Sequence, residues 1–266
     1  MPKLAKGLGA QLLLSLHSGH ANIRLYIPTL ASAAMNSTDA RPRMAVPWTL
    51  RDAAKAVALV AGVAALLAFV AALALLVSGG TIPGSRILFS AVLEGMLLVA
   101  VWRFGPWRYG QSWRALGLST TLSSGALLAL MVLLASLAFV LLYTAAMKVL
   151  GLASLTPPPI PDELMKTYPE RIAAFVLIVV VAPVAEESFF RGFLLPVLAD
   201  RWGFWVGASF VSVLFAMAHL APGVLLPAFV SGLLLAWLYR RTGSLWNCCL
   251  AHAAQNALAF AVAISV

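Results

Sequence analysis

Residues 56–77 read AVALVAGVAALLAFVAALALLV, twenty-two consecutive residues without a polar side chain. About 20 apolar residues in a helix cross the hydrocarbon core of a bilayer, so this stretch predicts a transmembrane helix. The rest of the chain has the same character, since 62% of its 266 residues are hydrophobic and 10% are charged. Soluble domains carry roughly 25% charged residues, and disordered chains are poor in apolar residues, so both classes are excluded. We predict an all-α, polytopic bundle of transmembrane helices.

Six further apolar segments complete a predicted bundle of about seven spans. They are residues 87–102, residues 122–147, a segment that starts near Ile172, and residues 204–220, 224–239 and 244–266. Residues 1–46 stand apart, because they are basic and have a middle rich in Ser, Ala and Asn. We interpret them as a tail that is disordered, serves in targeting, or precedes the true start of the protein.

The basic residues indicate orientation rather than a nucleic-acid partner. The net charge is +9, but the Lys and Arg residues lie between apolar blocks instead of along one face. With the N-terminus inside, 14 of the 18 basic residues fall on the inner side, and the outer four are Arg86, Lys148, Lys166 and Arg171. All eight tryptophans map near the inner interface. We therefore predict a cytoplasmic N-terminus in a plasma membrane, which the Ala and Leu richness suggests is bacterial.

The predicted fourth span contains two adjacent glutamates and an arginine, in the stretch EESFFR at residues 186–191. On a helix, Glu187 and Arg191 are four residues apart and share a face, so we expect them to pair. Glu186 is rotated by about 100° from Glu187 and is free to face another helix. The pattern fits a catalytic base beside a supporting carboxylate. It fits equally a buried ion pair that locks helix packing, with Glu186 protonated and inert.

Two later spans each place a histidine and a second residue on one helical face. The fifth contains Phe215 and His219 at i and i+4, which puts the ring of Phe215 over the histidine. The seventh contains His252 and Asn256 at the same spacing, with alanines between them. Each pair alone is typical of hydrogen bonds between helices. Polar residues are costly at membrane depth, so their concentration in three spans favours one shared functional site.

The predicted boundaries leave two questions open. His219 falls near the outer end of the fifth span, whereas His252 lies only about 12 Å from the inner end of the seventh. If both are to meet Glu186, the fifth span starts deeper than predicted or the boundaries are several residues wrong. Glu94, the acidic residue of the second span, either lines a cavity or is protonated in a helix contact, and the sequence favours the contact.

The three motifs, taken in order, resemble the signature of the type II CAAX prenyl endopeptidases, also called the CPBP or Abi intramembrane proteases. The family pattern is E-E-x-x-x-R, F-x-x-x-H and H-x-x-x-N, which this chain has at residues 186–191, 215–219 and 252–256. RGF at 191–193 and RTGSL at 241–245 are similar to accessory patterns of the family. Each motif is weak alone, but the three in order on predicted helices are specific.

The resemblance implies a glutamate-dependent intramembrane endopeptidase. Glu186 would activate a water molecule, with His219 sharing the role of general base. His252 and Asn256 would stabilise the oxyanion. Peptide hydrolysis needs such a base, a confined water and hydrogen-bond donors aimed at the developing negative charge.

The resemblance covers about residues 165–262 and suggests a division of the chain. We assign residues 165–266 to a catalytic helix bundle of CPBP type and residues 47–164 to accessory spans, after the tail at 1–46. Arg191 would hold Glu187 and the local helix, and Phe215 would support the site. We expect no cofactor. A divalent metal bound by glutamates and histidines is the less favoured alternative, because the sequence lacks H-E-x-x-H and Glu187 is committed to Arg191.

The expected partners are the lipid bilayer and a peptide or protein substrate at the membrane. In a bacterial host prenylated proteins would be absent, and the resemblance then implies a prenyl-like or bacteriocin-like peptide. One alternative is a non-catalytic scaffold or bacteriocin self-immunity protein that uses the same helices. A proton- or cation-coupled carrier would also place carboxylates and histidines in the membrane, but carriers usually show paired repeats, which this sequence lacks.

Overall fold

The computed structural model describes residues 46–79, 84–118, 125–161, 164 and 166–265. Within these residues the chain forms seven helical segments and no strand, which confirms the predicted all-α bundle. The segments are α1 (Leu50–Ser78), α2 (Ser85–Phe104), α3 (Ala126–Val149), α4 (Tyr168–Trp202), α5 (Phe204–Ala218), α6 (Pro222–Thr242) and α7 (Leu245–Ser265). The tail predicted at residues 1–46 lies almost wholly outside the described part of the chain.

Six of these helices are long and apolar enough to cross a membrane, and α5 is the exception. It has 15 residues, so at about 1.5 Å per residue it extends only about 22 Å. The hydrocarbon core of a bilayer is about 30 Å thick. The fifth helix is therefore present as predicted but ends short of a full span.

The chain runs up and down, and its connections pack together at two ends. At one end, which we call the basic end, the start of α1, the 105–118 connection, the α4–α5 turn and the α6–α7 turn lie together. The Leu245 amide donates to the Gly117 carbonyl at 3.1 Å. The Tyr239 hydroxyl donates to the Leu116 carbonyl at 3.0 Å. At the opposite end the α3–α4 connection lies against the start of α6, since a Cβ on Gly223 would overlap the carbonyl of Thr156.

A capping box starts α1 and ties it to the basic end. The Thr49 hydroxyl accepts from the Asp52 amide, and Asp52 Oδ2 accepts from the Thr49 amide at 3.0 Å, which satisfies two backbone donors that the first turn leaves free. The same Oδ2 accepts from the Tyr109 hydroxyl at 2.5 Å, and Arg108 lies 3.3 Å from Oδ1. Asp52 therefore fixes the start of α1 against the connection between α2 and α3.

Two residues assigned to the inner side, Trp48 and Arg191, are buried within the bundle. Trp48 is 3% exposed, donates its indole N–H to the Phe193 carbonyl at 2.9 Å and stacks on the Phe193 ring. Arg191 is 0% exposed and bonded within the bundle. Charge and aromaticity alone do not separate a residue exposed at the interface from one that packs in the core, as these two residues do.

α4 is the central helix and departs twice from ordinary α-helical winding. Val176–Val181 and Ser188–Leu194 form π-helical turns, with Ala182–Glu187 in α-helical form between them. Pro183 follows the first π turn and has no backbone N–H to donate, a common cause of irregular winding. Almost every residue from Ala185 to Leu198 is buried. The motif glutamates thus sit on a short α-helical stretch inside the bundle.

Candidate active site

Glu187 and Arg191 form the fully buried ion pair predicted by their spacing. Arg191 donates Nη1–H to Glu187 Oε1 at 2.6 Å, and both side chains are 0% exposed. Arg191 also donates to the Gly232 carbonyl of α6 at 3.4 Å. A buried charge without a partner is strongly destabilising, so each side chain requires the other. The pair anchors α4 to α6 behind the remaining polar residues.

His252 of α7 lies between the two motif glutamates. Its Nδ1 is 2.9 Å from Glu187 Oε1, and its Nε2 is 3.7 Å from Glu186 Oε2. Glu187 is paired with Arg191 and accepts hydrogen bonds. In its contact with Glu187, the Nδ1 of His252 therefore carries the proton. A chain of polar groups therefore runs from Arg191 through Glu187 and His252 to Glu186. Glu186 Oε2 has no hydrogen-bond partner among the described residues.

Asn256 contacts the backbone of α4 rather than the other site residues. Its side-chain amide donates to the Ile178 carbonyl at 2.8 Å. In the π turn the Ala182 amide donates to the Leu177 carbonyl, so the next bond in the same register would run from residue 183 to Ile178. Residue 183 is proline and cannot donate. Asn256 therefore satisfies a carbonyl group that Pro183 leaves free, and it joins α7 to α4 beside the site.

The ring of Phe215 on α5 contacts the rings of both histidines. Its ring centroid is 4.9 Å from that of His219 and 5.8 Å from that of His252, edge to face in both cases. The guanidinium of Arg191 lies over the same ring, 4.4 Å from its centroid. The short α5 ends just before His219, so this histidine stops at the level of Phe215. This arrangement removes the conflict in depth that the predicted boundaries raised.

Backbone contacts around His219 determine which ring nitrogen carries the proton and where the ring lies. Its Nδ1 lies 2.9 Å from the Phe215 carbonyl, which can only accept, so Nδ1 carries the proton. In the neutral ring, Nε2 is then a free acceptor. The next residue, Leu220, has φ of 54°, a left-handed conformation that side chains other than glycine rarely adopt. Such local strain is common at functional sites, and here it turns the chain directly after the histidine.

Glu186 and His219 line one cavity of about 370 Å³. Its walls come from α1, α2, α4 and the end of α5, and they are mostly apolar side chains such as Val57, Leu97 and Phe189. Glu94 of α2 also lines it, so this residue is not confined to a helix contact, which was the interpretation that the sequence favoured. A carboxyl group and an imidazole that share a confined space can activate a water molecule.

The structure thus brings four of the predicted site residues together and sets the others around them. Glu186 and His219 face the cavity, His252 contacts Glu186, and Glu187 is bonded to His252. Asn256 is directed to Ile178 and is not among the residues that line the cavity. Across the described ranges, no group of three or more His, Cys, Asp or Glu side chains is placed to hold a metal ion.

Sequence reasoning overlooked one partner of the site, the free carbonyl of Ile178. Proline within an apolar span was the available signal, since a missing N–H leaves a carbonyl that needs another donor. Asn256 was recognised by its spacing from His252, but its partner lies 78 positions away. Such a contact follows from helix packing and not from local spacing.

The comparisons with known proteins concern the part of the chain that contains this site. Residues 168–258 match the sequence model of the family described as type II CAAX prenyl endopeptidase Rce1-like. A segment of 56 residues, 20% of the chain, is 41% identical to an uncharacterized 24.3 kDa protein of Escherichia coli and covers 26% of that protein. The chain thus matches about a quarter of this relative's length. No solved structure shows a significant match. Residues 168–258 of this membrane protein form a domain of the Rce1-like type II CAAX prenyl endopeptidase family.

Proposed function

We propose that this protein is an intramembrane endopeptidase that hydrolyses a peptide bond in a membrane-associated peptide. The observation that carries the proposal is the shared cavity of Glu186 and His219, with His252 in contact with Glu186. Glu186 and His219 thereby provide a base and a second proton acceptor in one cavity within the helices, and His252 lies beside Glu186. Membership of residues 168–258 in a peptidase family supports the same reaction.

In this mechanism Glu186 takes a proton from a water molecule in the cavity, and the resulting hydroxide attacks the carbonyl carbon of the substrate. The unpaired Oε2 of Glu186 is available for this role because Glu187, not Glu186, is bonded to Arg191. His219 shares the role of base through Nε2, since its Nδ1–H is donated to the Phe215 carbonyl. Positioned general bases of this kind contribute typically about 10²–10⁴-fold to a rate.

His252 and Asn256 are assigned to the oxyanion. With Nδ1–H donated to Glu187, His252 can donate from Nε2 only when its ring carries both protons, so this role requires the imidazolium form. Asn256 has two amide hydrogens and uses one for the Ile178 carbonyl, which leaves one for substrate. Removal of one oxyanion donor typically costs about 10²–10³-fold in rate.

The substrate class follows from the walls of the cavity. They are contributed mainly by aliphatic and aromatic side chains, and three of the four helices that line the cavity are long enough to cross a membrane. An extended peptide with apolar side chains or a prenyl-like group fits such a space better than a charged one, because burying a charge without a partner is costly. A bacteriocin-like peptide meets the same description.

The test compares the N-termini of membrane and secreted peptides from cells that carry either the wild-type protein or Glu186→Ala at matched membrane levels. We expect a set of N-termini that appears only with the wild type, and these would also identify the substrate. Asp200→Asn, which changes an exposed carboxylate outside the cavity, is the matched control and should retain them. Identical profiles for wild type and Glu186→Ala would instead indicate a non-catalytic scaffold or immunity protein.

A further inference from the structure

Glu94 is a second carboxyl group in the cavity, and neither the sequence motifs nor the proposed mechanism uses it. It lies on α2, outside the matched residues 168–258, and lines the same cavity as Glu186. Its Oε2 is buried and has no hydrogen-bond partner among the described residues. A buried polar atom without a partner is costly in a folded protein, so its retention calls for a reason.

The surroundings of Glu94 favour a protonated carboxyl group. The neighbouring walls of α1 and α2 present apolar side chains, among them Val57, Val60 and Leu93, and no described Lys or Arg lines the cavity. Glu94 and Glu186 both line this cavity, and each has a buried Oε2 without a hydrogen-bond partner among the described residues. Two carboxylates in one apolar space repel each other strongly, and such pairs hold a single proton between them.

From these observations we infer that Glu94 is the proton donor of the site and forms a carboxyl pair with Glu186 that holds one proton. This inference rests on the proposed function. Glu186 is ionised and acts as the base, whereas Glu94 is protonated and delivers its proton to the leaving amide nitrogen. When two carboxyl groups of one site have different surroundings, one commonly acts as the acid and the other as the base.

The protons and bonds balance over one cycle. A water proton passes to Glu186, the new C–O bond forms, and the C–N bond breaks as the nitrogen takes the proton of Glu94. Glu186 is then protonated and Glu94 ionised, and one proton transfer between them through water restores the starting state. The sum is one water consumed for one peptide bond hydrolysed.

Other titratable groups lie around this pair, and the experiment must separate their effects from that of Glu94. His219 lines the cavity, and His252 lies 3.7 Å from Glu186 Oε2. Glu187 is bonded to Arg191 and His252 behind them. None of these groups changes in a Glu94 variant, so a difference between wild type and variant reports on Glu94 itself.

The first measurement does not depend on activity. Infrared spectroscopy of the purified full-length protein at neutral pH should show the C=O stretch of a protonated carboxyl group in the wild type. The band should disappear in Glu94→Gln, which keeps the shape of the side chain, and remain in Asp200→Asn. A wild type without the band, or a band that persists in Glu94→Gln, would overturn the inference.

The second measurement follows cleavage of a peptide identified by the new N-termini. Glu94→Gln should lower kcat at least about 100-fold, as expected for loss of a general acid. Wild-type activity should fall at high pH as Glu94 loses its proton, and the variant should lack this fall. Glu94→Asp, which retains an acid, should recover part of the rate and the pH dependence.

The outcomes separate this inference from the proposed function. Full cleavage by Glu94→Gln together with loss of cleavage in Glu186→Ala overturns only the role of Glu94. A change confined to KM, with an unaltered pH profile, overturns it as well and assigns Glu94 to substrate binding. Full cleavage by both variants overturns the proposed function and this inference together.

Discussion

Arg191 carries a positive charge into the centre of the bundle, where its guanidinium balances Glu187 and rests on the ring of Phe215. Its position explains why the motif contains two adjacent glutamates. One carboxylate neutralises the arginine and orients His252, and the other remains unpaired for chemistry. A single glutamate could not do both, since an oxygen bonded to a guanidinium is a weaker base.

Replacing Arg191 tests the dependence of the two charges on each other. Arg191→Met should lower the free energy of unfolding by about 3–5 kcal/mol, because it leaves Glu187 buried without its cation. Glu187→Gln/Arg191→Met should recover most of this loss, since a neutral amide needs no counter-charge, but it should not recover cleavage. Thermal unfolding can be followed with a thiol-reactive dye, because Cys248 and Cys249 are buried in the folded protein.

Lys148→Met is the control, since it removes a positive charge from an exposed position and should leave the melting temperature unchanged. A double variant no more stable than Arg191→Met would contradict the interpretation. In that case the arginine would stabilise the bundle through packing against Phe215 and Gly232 rather than through charge.

Residue spacing predicted the contacts made within one helical turn. Glu187 pairs with Arg191, and Phe215 covers His219, as four-residue separations require. Spacing could not predict that His252 bonds to Glu187, which lies 65 positions away, although the concentration of polar residues in three spans and the family resemblance both assigned them to one site. Glu94 was recognised as unusual but assigned to a helix contact, because a cavity is formed jointly by several helices and no one of them reveals it.

At the level of elements, the close packing of α4 against α5 holds His219 at the depth of the site. The chain reverses at Gly203, where φ is 82°, a conformation that favours glycine. α5 then returns along the end of α4 with Gly207 at the contact. A Cβ on Gly207 would lie 2.7 Å from the Ala199 nitrogen and 2.8 Å from the Leu198 carbonyl carbon. Such backbone atoms cannot yield as a flexible side chain could.

Gly207→Ala should therefore force α5 away from α4. We expect overpacking to cost about 1–3 kcal/mol and cleavage to fall, because His219 moves with α5. Gly62→Ala is the matched control, since a Cβ on Gly62 of α1 would have no atom within 4 Å. It should leave stability and cleavage unchanged. Equal melting temperatures for the two variants, measured with the same dye, would show that α5 is not held by this contact.

Element boundaries were predicted well at the end of α1 and at the start of α5, whereas α1 was predicted from residue 56 and starts at Leu50. They were less accurate for α4, which was predicted to start near Ile172 and begins at Tyr168. The π turns were not predicted. They depend on Pro183, which lacks a backbone donor for the Ile178 carbonyl of α4, and on Asn256 of α7, which donates to that carbonyl instead. Hydrophobic patterning reports neither contribution.

For the whole molecule, the gathering of four chain segments at the basic end makes the predicted orientation testable. Exposed Arg241 marks this end, and exposed Lys148 lies near the opposite one. In a Cys248→Ala/Cys249→Ala background, Lys148→Cys should react with a membrane-impermeant thiol reagent on intact cells. Arg241→Cys should react only after the cells are permeabilised, because basic residues concentrate on the cytoplasmic side. The reverse pattern would show that the N-terminus faces outward.

The π turn at Val176–Val181 makes the effect of a change in the length of α4 depend on where in the helix the change falls. A π turn holds one residue more than an α turn within one turn of the helix, so the extra residue is absorbed locally and the residues that follow keep their direction. Exchanges among Val, Ile and Leu would leave that direction intact. Deleting a single residue there would let the turn rewind as α-helix and leave Glu186 facing the same way, whereas deleting Val184 from the α-helical stretch would swing Glu186 by about 100° relative to the first half of α4. Every catalytic side chain would then still be encoded, yet the base would face away from its water.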